Sequence, residues 1–125
     1  MDERPLLVVD AANVVGSVPD GWWRDRAGAT ARLRDALARV AAEGLPGVPA
    51  PPEVVLVVEG AARGITDIRG VRVVAAPRSG DDAIVDLVRA EASHRDVVVV
   101  TADRGLRERV VALGARVLGP RAVRP

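Results

Sequence analysis

The chain has 125 residues, 49% of them hydrophobic, with a formal net charge of +1 and no cysteine. This size suits one domain over residues 1–125, with an ordered core from about residue 5 to about residue 120. The missing cysteines exclude a disulfide scaffold, a thiolate zinc site and a cysteine nucleophile. No apolar run reaches the roughly 20 residues of a membrane span, and residues 1–5 lack the basic start of a signal peptide. We therefore expect a soluble cytoplasmic protein with no membrane partner.

Arginine supplies every basic residue of the chain, since all 18 are arginine and none is lysine. The planar arginine fork matches phosphate oxygens and keeps its charge at any working pH. Without lysine, a Schiff base and a phosphate-loop lysine are both excluded. A dinucleotide-binding glycine fingerprint is missing after the first apolar run. Tyrosine and phenylalanine are also absent, which argues against a base-stacking sheet of the RRM type.

Short runs of β-branched residues predict the strands. The runs are apolar on both faces, as a parallel sheet covered by helices on each side requires. In chain order they occupy residues 6–9, 54–58, 71–75, 97–100 and 117–118. The first ends in Asp10, the second in Glu59 and the fourth at Thr101.

Helical periodicity separates most of these runs. Apolar residues recur at helical spacing over about residues 26–43 and 81–93, and again from Leu106 to Leu113 before Gly114. The order β-α-β-β-α-β-α-β predicts an α/β fold with three layers, namely a doubly wound, mainly parallel sheet of about five strands. Residues 45–52 are expected to form a loop and residues 121–125 a short frayed tail.

Acidic residues stand where the strands end. Asp10 closes the first strand, Glu59 the second, and Asp103 follows the fourth by two residues, while Asp81 and Asp82 open a helix. Ligands of an open parallel sheet bind beyond the carboxyl ends of its strands, where the strand order reverses. These carboxylates are therefore expected to share one rim of the sheet.

Several ionised carboxylates repel one another in a small site unless a cation compensates them. Oxygen ligands without cysteine or histidine suit Mg²⁺ or Mn²⁺ better than Zn²⁺. Such a metal positions and acidifies a water and stabilises charge on a phosphoryl oxygen. The single histidine, His94, lies at the far end of its predicted helix. The pattern therefore indicates a metal-dependent nuclease site.

Substrate contacts are expected from Trp22, Arg24 and Arg78, because tryptophan faces stack on nucleobases and arginines bind phosphates. The structural alternative is that Trp22 or Trp23 packs into the core, or forms a dimer contact, and at least one is expected to be buried. The arginines are then ordinary solvated side chains.

Local structural roles compete with the functional ones. Asp10 can end a strand in a turn, and Asn13 can occupy a turn position. Ser79 can cap a helix with Asp82 as a favourable acid in its first turn, and Asp103 can cap the last helix. Capping alone does not explain why two aspartates are adjacent or why all the acids converge on one rim.

Three motifs resemble those of NYN domains, the PIN-like ribonucleases. Residues 8–15, Val-Val-Asp-Ala-Ala-Asn-Val-Val, are similar to the opening motif, in which an asparagine follows an aspartate by three residues. Residues 81–85 resemble the paired aspartates at a helix start, and residues 98–103 the late strand ending in Ser/Thr, any residue, Asp. The three occur in the family's order, and the resemblance spans nearly the whole chain.

The resemblance implies a PIN-like fold, a Mg²⁺ or Mn²⁺ site and RNA as substrate. It carries over Asp10, Asp82 and Asp103 as metal ligands, with Asp81 as a further acid. Asn13 would orient substrate or a metal-bound water, and Thr101 would support the site from behind the ligands. One departure is Arg107, where some relatives carry another acid. Glu59 is the candidate that could compensate.

The leading hypothesis is therefore a divalent-metal-dependent ribonuclease. The alternatives are a PIN-like RNA- or protein-binding module with a degraded site, and a phosphohydrolase of free nucleotides. Homodimer formation is a further expectation, because related small domains often dimerise.

Overall fold

Five parallel strands form one sheet in the computed structural model, which describes residues 4–124. The strands pair in the order β3-β2-β1-β4-β5, so the predicted sheet is confirmed and is parallel throughout. Their bounds are β1 Leu6–Asp10, β2 Glu53–Val58, β3 Val71–Ala75, β4 Val97–Val100 and β5 Arg116–Leu118.

Four α-helices accompany the sheet: α1 Ala11–Gly16, α2 Arg26–Glu43, α3 Gly80–Glu91 and α4 Arg104–Ala112. The three predicted helices correspond to α2, α3 and α4. Helix α1 was not predicted, because its six residues make fewer than two helical turns and show no clear periodicity. Short 3-10 helices cover Trp22–Arg24, Gly60–Ala62 and Pro120–Ala122.

Two hydrophobic clusters cover opposite faces of the sheet. Leu7 and Val9 pack with Leu33 and Leu37 of α2, whereas Leu6 and Val8 pack with residues of α3 and α4. Successive residues of β1 thus point to opposite sides, and all are fully or almost fully buried. The result is a three-layer α/β fold with a core of aliphatic side chains.

The chain changes direction across the sheet at β1. From β1 it proceeds outward through β2 to β3, then crosses to β4 on the other side of β1. The carboxyl ends of β1 and β4 therefore form the topological switch point, where a cleft opens in sheets of this type.

The segment near the end of the chain corrects one prediction. Residues 121–124 are not frayed: Val123 is buried, and Arg124 Nη1 donates to the carbonyl oxygen of Ser17 at 3.3 Å. Pro125 and residues 1–3 lie outside the described residues. The expectation about a signal peptide rested on residues 1–5 and therefore falls largely outside them. Within residues 4–124, no helix has the length and apolar character needed to cross a membrane.

Candidate active site

Asp10 lies at the switch point with its carboxylate buried. It is the last residue of β1 and caps α1, with Oδ1 accepting from the Asn13 backbone N–H at 3.4 Å. Oδ2 accepts from the Thr101 hydroxyl at 2.9 Å. The residue is 5% exposed, so these bonds orient a carboxylate that has lost most of its water.

The loop between β4 and α4 is tied to α1 by hydrogen bonds. Thr101 Oγ1 accepts from the Asp103 backbone N–H at 3.1 Å, and Asn13 Oδ1 accepts from the Ala102 N–H at 2.7 Å. Asp103 caps α4, because its Oδ1 accepts from the Leu106 N–H at 2.9 Å. The capping roles of Asp10 and Asp103 thus coexist with their position at the rim.

Glu59 joins the end of β2 to the start of α3. Its Oε2 accepts a short hydrogen bond from the Gly80 backbone N–H. A side chain at position 80 would bring a Cβ within 3.2 Å of that oxygen, so glycine permits the close approach. Ser79 caps α3 as predicted, with Oγ accepting from the Asp82 N–H at 3.2 Å.

Four acidic side chains, Asp10, Glu59, Asp81 and Asp103, form what we term the carboxylate cluster. Burial, opposed by the bonds from Thr101 and Asn13, raises the pKa of Asp10 to about 6, and the charges of Asp81 and Glu59 add to the rise. The pKa of Asp81 is also raised, first by burial and then by the charges of Asp103 and Glu59. Asp81 is thus electrostatically linked to the other three members.

Asp82 follows Asp81 in the first turn of α3, and its side chain pairs with α4. It is exposed, and its Oδ1 accepts from Arg109 Nη2 of α4 at 3.1 Å. The sequence contained a signal for this difference that the motif comparison did not use. Asp81 precedes the buried Ile84, Val85 and Val88 by three, four and seven residues, which places it on the inward face of α3.

The carboxylate cluster fits a hard divalent cation by the chemistry of its donors, which are all oxygen. Within residues 4–124, however, no three acidic or imidazole side chains are close enough together to enclose one metal ion. Mg²⁺ is commonly held by one or two carboxylates, with waters and substrate phosphates completing its coordination. If such an ion were bound here, these carboxylates would supply only some of its ligands, and water or substrate would supply the others.

A cavity of about 430 Å³ adjoins the carboxylate cluster. We term it the Trp22 cavity; its walls come from α1, the start of α2 and the ends of the loops after β2 and β3. They include Ala11, Ala12, Val15, Trp22, Arg26, Thr30, Glu59, Gly60, Ala62 and Arg78. Of the predicted substrate contacts, Trp22 and Arg78 line it. Arg24 is not among its lining residues, because its guanidinium lies 5.9 Å from the Trp23 ring centre.

Neither tryptophan belongs to the core, so the expectation of a buried tryptophan was wrong. Trp23 is 56% exposed and Trp22 is partly exposed. The two hydrophobic clusters of the core consist of leucine, isoleucine, valine and alanine side chains. Together these side chains fill the interior and leave no space there for an indole. Arg26, which the sequence did not single out, lies 5.1 Å from the Trp22 ring centre.

Similarity to known proteins was detected through structure alone. No protein-family model matches the chain, and no curated protein sequence matches it. The crystal structure of Rae1 (YacP) from Bacillus subtilis matches with a TM-score of 0.73 at 21% identity, covering 98% of this chain and 71% of that one. A tryptophan-to-leucine variant of Rae1 matches with a TM-score of 0.77 at 21% identity, covering 96% and 72%. At this identity the likeness shows a common α/β fold.

Proposed function

We propose that this protein is a divalent-metal-dependent ribonuclease that hydrolyses RNA phosphodiester bonds, with Mg²⁺ or Mn²⁺ as cofactor. The observation that carries the proposal is the carboxylate cluster at the switch point. The charges of Asp81 and Glu59 help raise the pKa of Asp10, and those of Asp103 and Glu59 help raise the pKa of Asp81. A bound cation would offset that repulsion. The motifs that resemble NYN domains and the PIN-like fold both support this chemistry.

We assign the central acidic role to Asp81, because it is electrostatically linked to Asp10, Glu59 and Asp103. A divalent metal bound there would activate a water and neutralise charge on the phosphoryl oxygens. Thr101 orients Asp10 through its hydroxyl. Asn13 holds the loop that carries Asp103, which differs from the expected role of contacting substrate or water directly.

The test compares Asp81→Asn with Asp82→Asn, two neighbouring substitutions that change the net charge equally. End-labelled single-stranded and hairpin RNAs are incubated with Mn²⁺, Mg²⁺ or EDTA. Asp81→Asn is expected to lower metal-dependent cleavage by more than about 100-fold, and Asp82→Asn by less than about tenfold. The reverse order would make Asp82 the essential acid. Failure of the folded wild-type protein to cleave under any condition would reject the ribonuclease.

The second candidate is an RNA- or protein-binding module without activity. It is favoured by Arg107, which stands where some relatives carry an acid, and by the Arg109–Asp82 ion pair at 3.1 Å. The lack of three converging metal donors within residues 4–124 also favours it. RNA binding without measurable Mn²⁺ binding in calorimetry would select this candidate. Turnover of free nucleotides but not of oligonucleotides would instead select a phosphohydrolase.

Cytoplasmic location and homodimer formation stay predictions. The described surface exposes two large hydrophobic side chains, Trp23 and Val111. Sedimentation of the purified protein would measure its oligomeric state.

A further inference from the structure

The Trp22 cavity is the feature that the proposed cleavage chemistry leaves unused. We propose that it binds one unpaired nucleobase of the RNA, immediately beside the phosphodiester bond that is cleaved. The inference rests on the proposed ribonuclease function and adds a base-binding subsite to it. The volume of the Trp22 cavity, about 430 Å³, lies within the range of about 300–1,000 Å³ typical of small-molecule sites.

The placement of the aromatic residues supports a base as the occupant. The chain has two tryptophans and no tyrosine or phenylalanine, and neither tryptophan contributes to the core. Trp22 lines the cavity, and the Arg26 guanidinium lies over its ring at 5.1 Å. Aromatic rings and guanidinium planes are the surfaces on which unpaired bases stack.

The Trp22 cavity is lined by two arginines and one acid, Glu59, and this excess of positive charge favours a nucleotide over an uncharged ligand. Arg26 and Arg78 are both exposed at the surface and line the cavity. Their fixed positive charges are complementary to the phosphates on either side of a bound base.

The position of the Trp22 cavity connects it to the carboxylate cluster. Glu59 lines the cavity and also raises the pKa of Asp10 and of Asp81. Ala11 and Ala12, which also line the cavity, follow Asp10 directly in the chain. A base in the cavity would therefore bring an adjacent phosphate to the acids.

This geometry has a consequence for substrate choice. A base held in a helical duplex must unstack and unpair before it can enter a pocket, which costs a few kcal/mol. The protein should therefore cleave beside unpaired nucleotides and should lose activity when the nucleotide at the cavity has no base.

The first experiment uses tryptophan fluorescence in EDTA, so that it does not depend on cleavage. Trp23→Phe leaves Trp22 as the sole tryptophan, and Trp22→Phe leaves Trp23 as the matched control. The probes are a single-stranded RNA hexamer and the same hexamer with abasic residues. We expect the intact hexamer to change Trp22 emission strongly, the abasic hexamer to change it weakly, and Trp23 to respond less than Trp22.

The second experiment measures binding by variants of the cavity wall. Trp22→Leu should weaken hexamer binding roughly tenfold or more, as expected for loss of one stacked base. Arg26→Ala should also weaken binding, whereas Arg39→Ala should not. Arg39 is an exposed residue of the same helix, about 20 Å away along the helix axis. Unchanged melting temperatures would show that the variants are folded.

The outcomes separate this inference from the ribonuclease proposal. If Trp22 does not respond to RNA while the wild-type protein cleaves RNA, the base subsite is wrong and the ribonuclease stands. If Trp22 responds but no metal supports cleavage, the cavity binds RNA and the ribonuclease is wrong. Equal responses to intact and abasic hexamers would overturn base recognition in favour of phosphate binding.

Discussion

At the scale of single residues, the buried carboxylate of Asp10 is expected to serve the proposed activity while lowering the stability of the fold at neutral pH. Its carboxylate is buried beside other acids, which raises its pKa to about 6 from its ordinary value of 3.8. The folded state therefore favours the protonated form. The stabilisation of the folded state by protonated Asp10 is fully present below about pH 4, and it is lost as the pH rises through about 6. At neutral pH the ionised carboxylate of Asp10 therefore lowers the free energy of unfolding by about 3 kcal/mol.

Asp10→Asn should remove this cost. Asparagine caps helices as well as aspartate does, so the variant should be more stable than the wild type by about 1–3 kcal/mol at pH 7.5. It should lose RNA cleavage at the same time. Urea denaturation at pH 4.5 and pH 7.5 checks the first point, because the difference in unfolding free energy should shrink at the lower pH. A stability difference independent of pH would contradict the assigned cause.

Asn13 is predicted to act by holding the loop that carries Asp103. Asn13→Ala removes the 2.7 Å bond to the Ala102 N–H, and solvent can replace the lost acceptor because Ala102 is exposed. We expect a stability loss of about 1 kcal/mol or less but a fall of roughly tenfold in kcat with KM little changed. If Asn13→Gln and Asn13→Ala were both as active as the wild type, the loop would not need this hydrogen bond.

At the scale of elements, helix ends are set by residues close in sequence. Asp25, Ser79 and Asp103 cap α2, α3 and α4 through side-chain oxygens. Glycines with positive φ follow two of these helices, with Gly44 at 73° after α2 and Gly114 at 98° after α4. The two positions differ in what surrounds them.

Substitution of these two glycines by alanine should therefore have unequal effects. Gly114→Ala meets open space and should cost about 1–2 kcal/mol through its left-handed backbone. Gly44→Ala would place a Cβ against the carbonyl oxygen of Val48 and 2.9 Å from the Ala50 nitrogen. It should cost at least about 1 kcal/mol more. Thermal unfolding of both variants checks this order, and equal losses would mean that the loop after α2 yields to the added methyl.

At the scale of the whole molecule, the crossing of the chain from β3 to β4 creates the site. The carboxylate cluster draws its members from the ends of β1 and β2, the start of α3 and the start of α4. These elements come together only in the folded state, so ligands that need several of these acids bind the folded state preferentially.

Manganese binding should therefore raise the melting temperature. At a concentration about 100 times Kd, a ligand specific for the folded state stabilises it by roughly 2.7 kcal/mol. The wild-type protein and Asp82→Asn should both be stabilised by Mn²⁺, and Asp81→Asn much less; EDTA should reverse the effect. Identical shifts in all three proteins would indicate a binding site elsewhere.

The sequence by itself determined the five strands, the three longer helices and the location of the acids at strand ends, but not the short helix α1. Hydrophobic periodicity and capping residues act over a few neighbours, so α2, α3, α4 and the strands followed from local patterns. The ion pair of Asp82 with Arg109 depended on tertiary packing, because Arg109 lies 27 residues beyond Asp82 in the chain. The placement of Trp22 and Trp23 outside the core was likewise decided by tertiary structure. Aliphatic side chains from distant strands and helices already fill the interior, and only their joint packing excludes an indole.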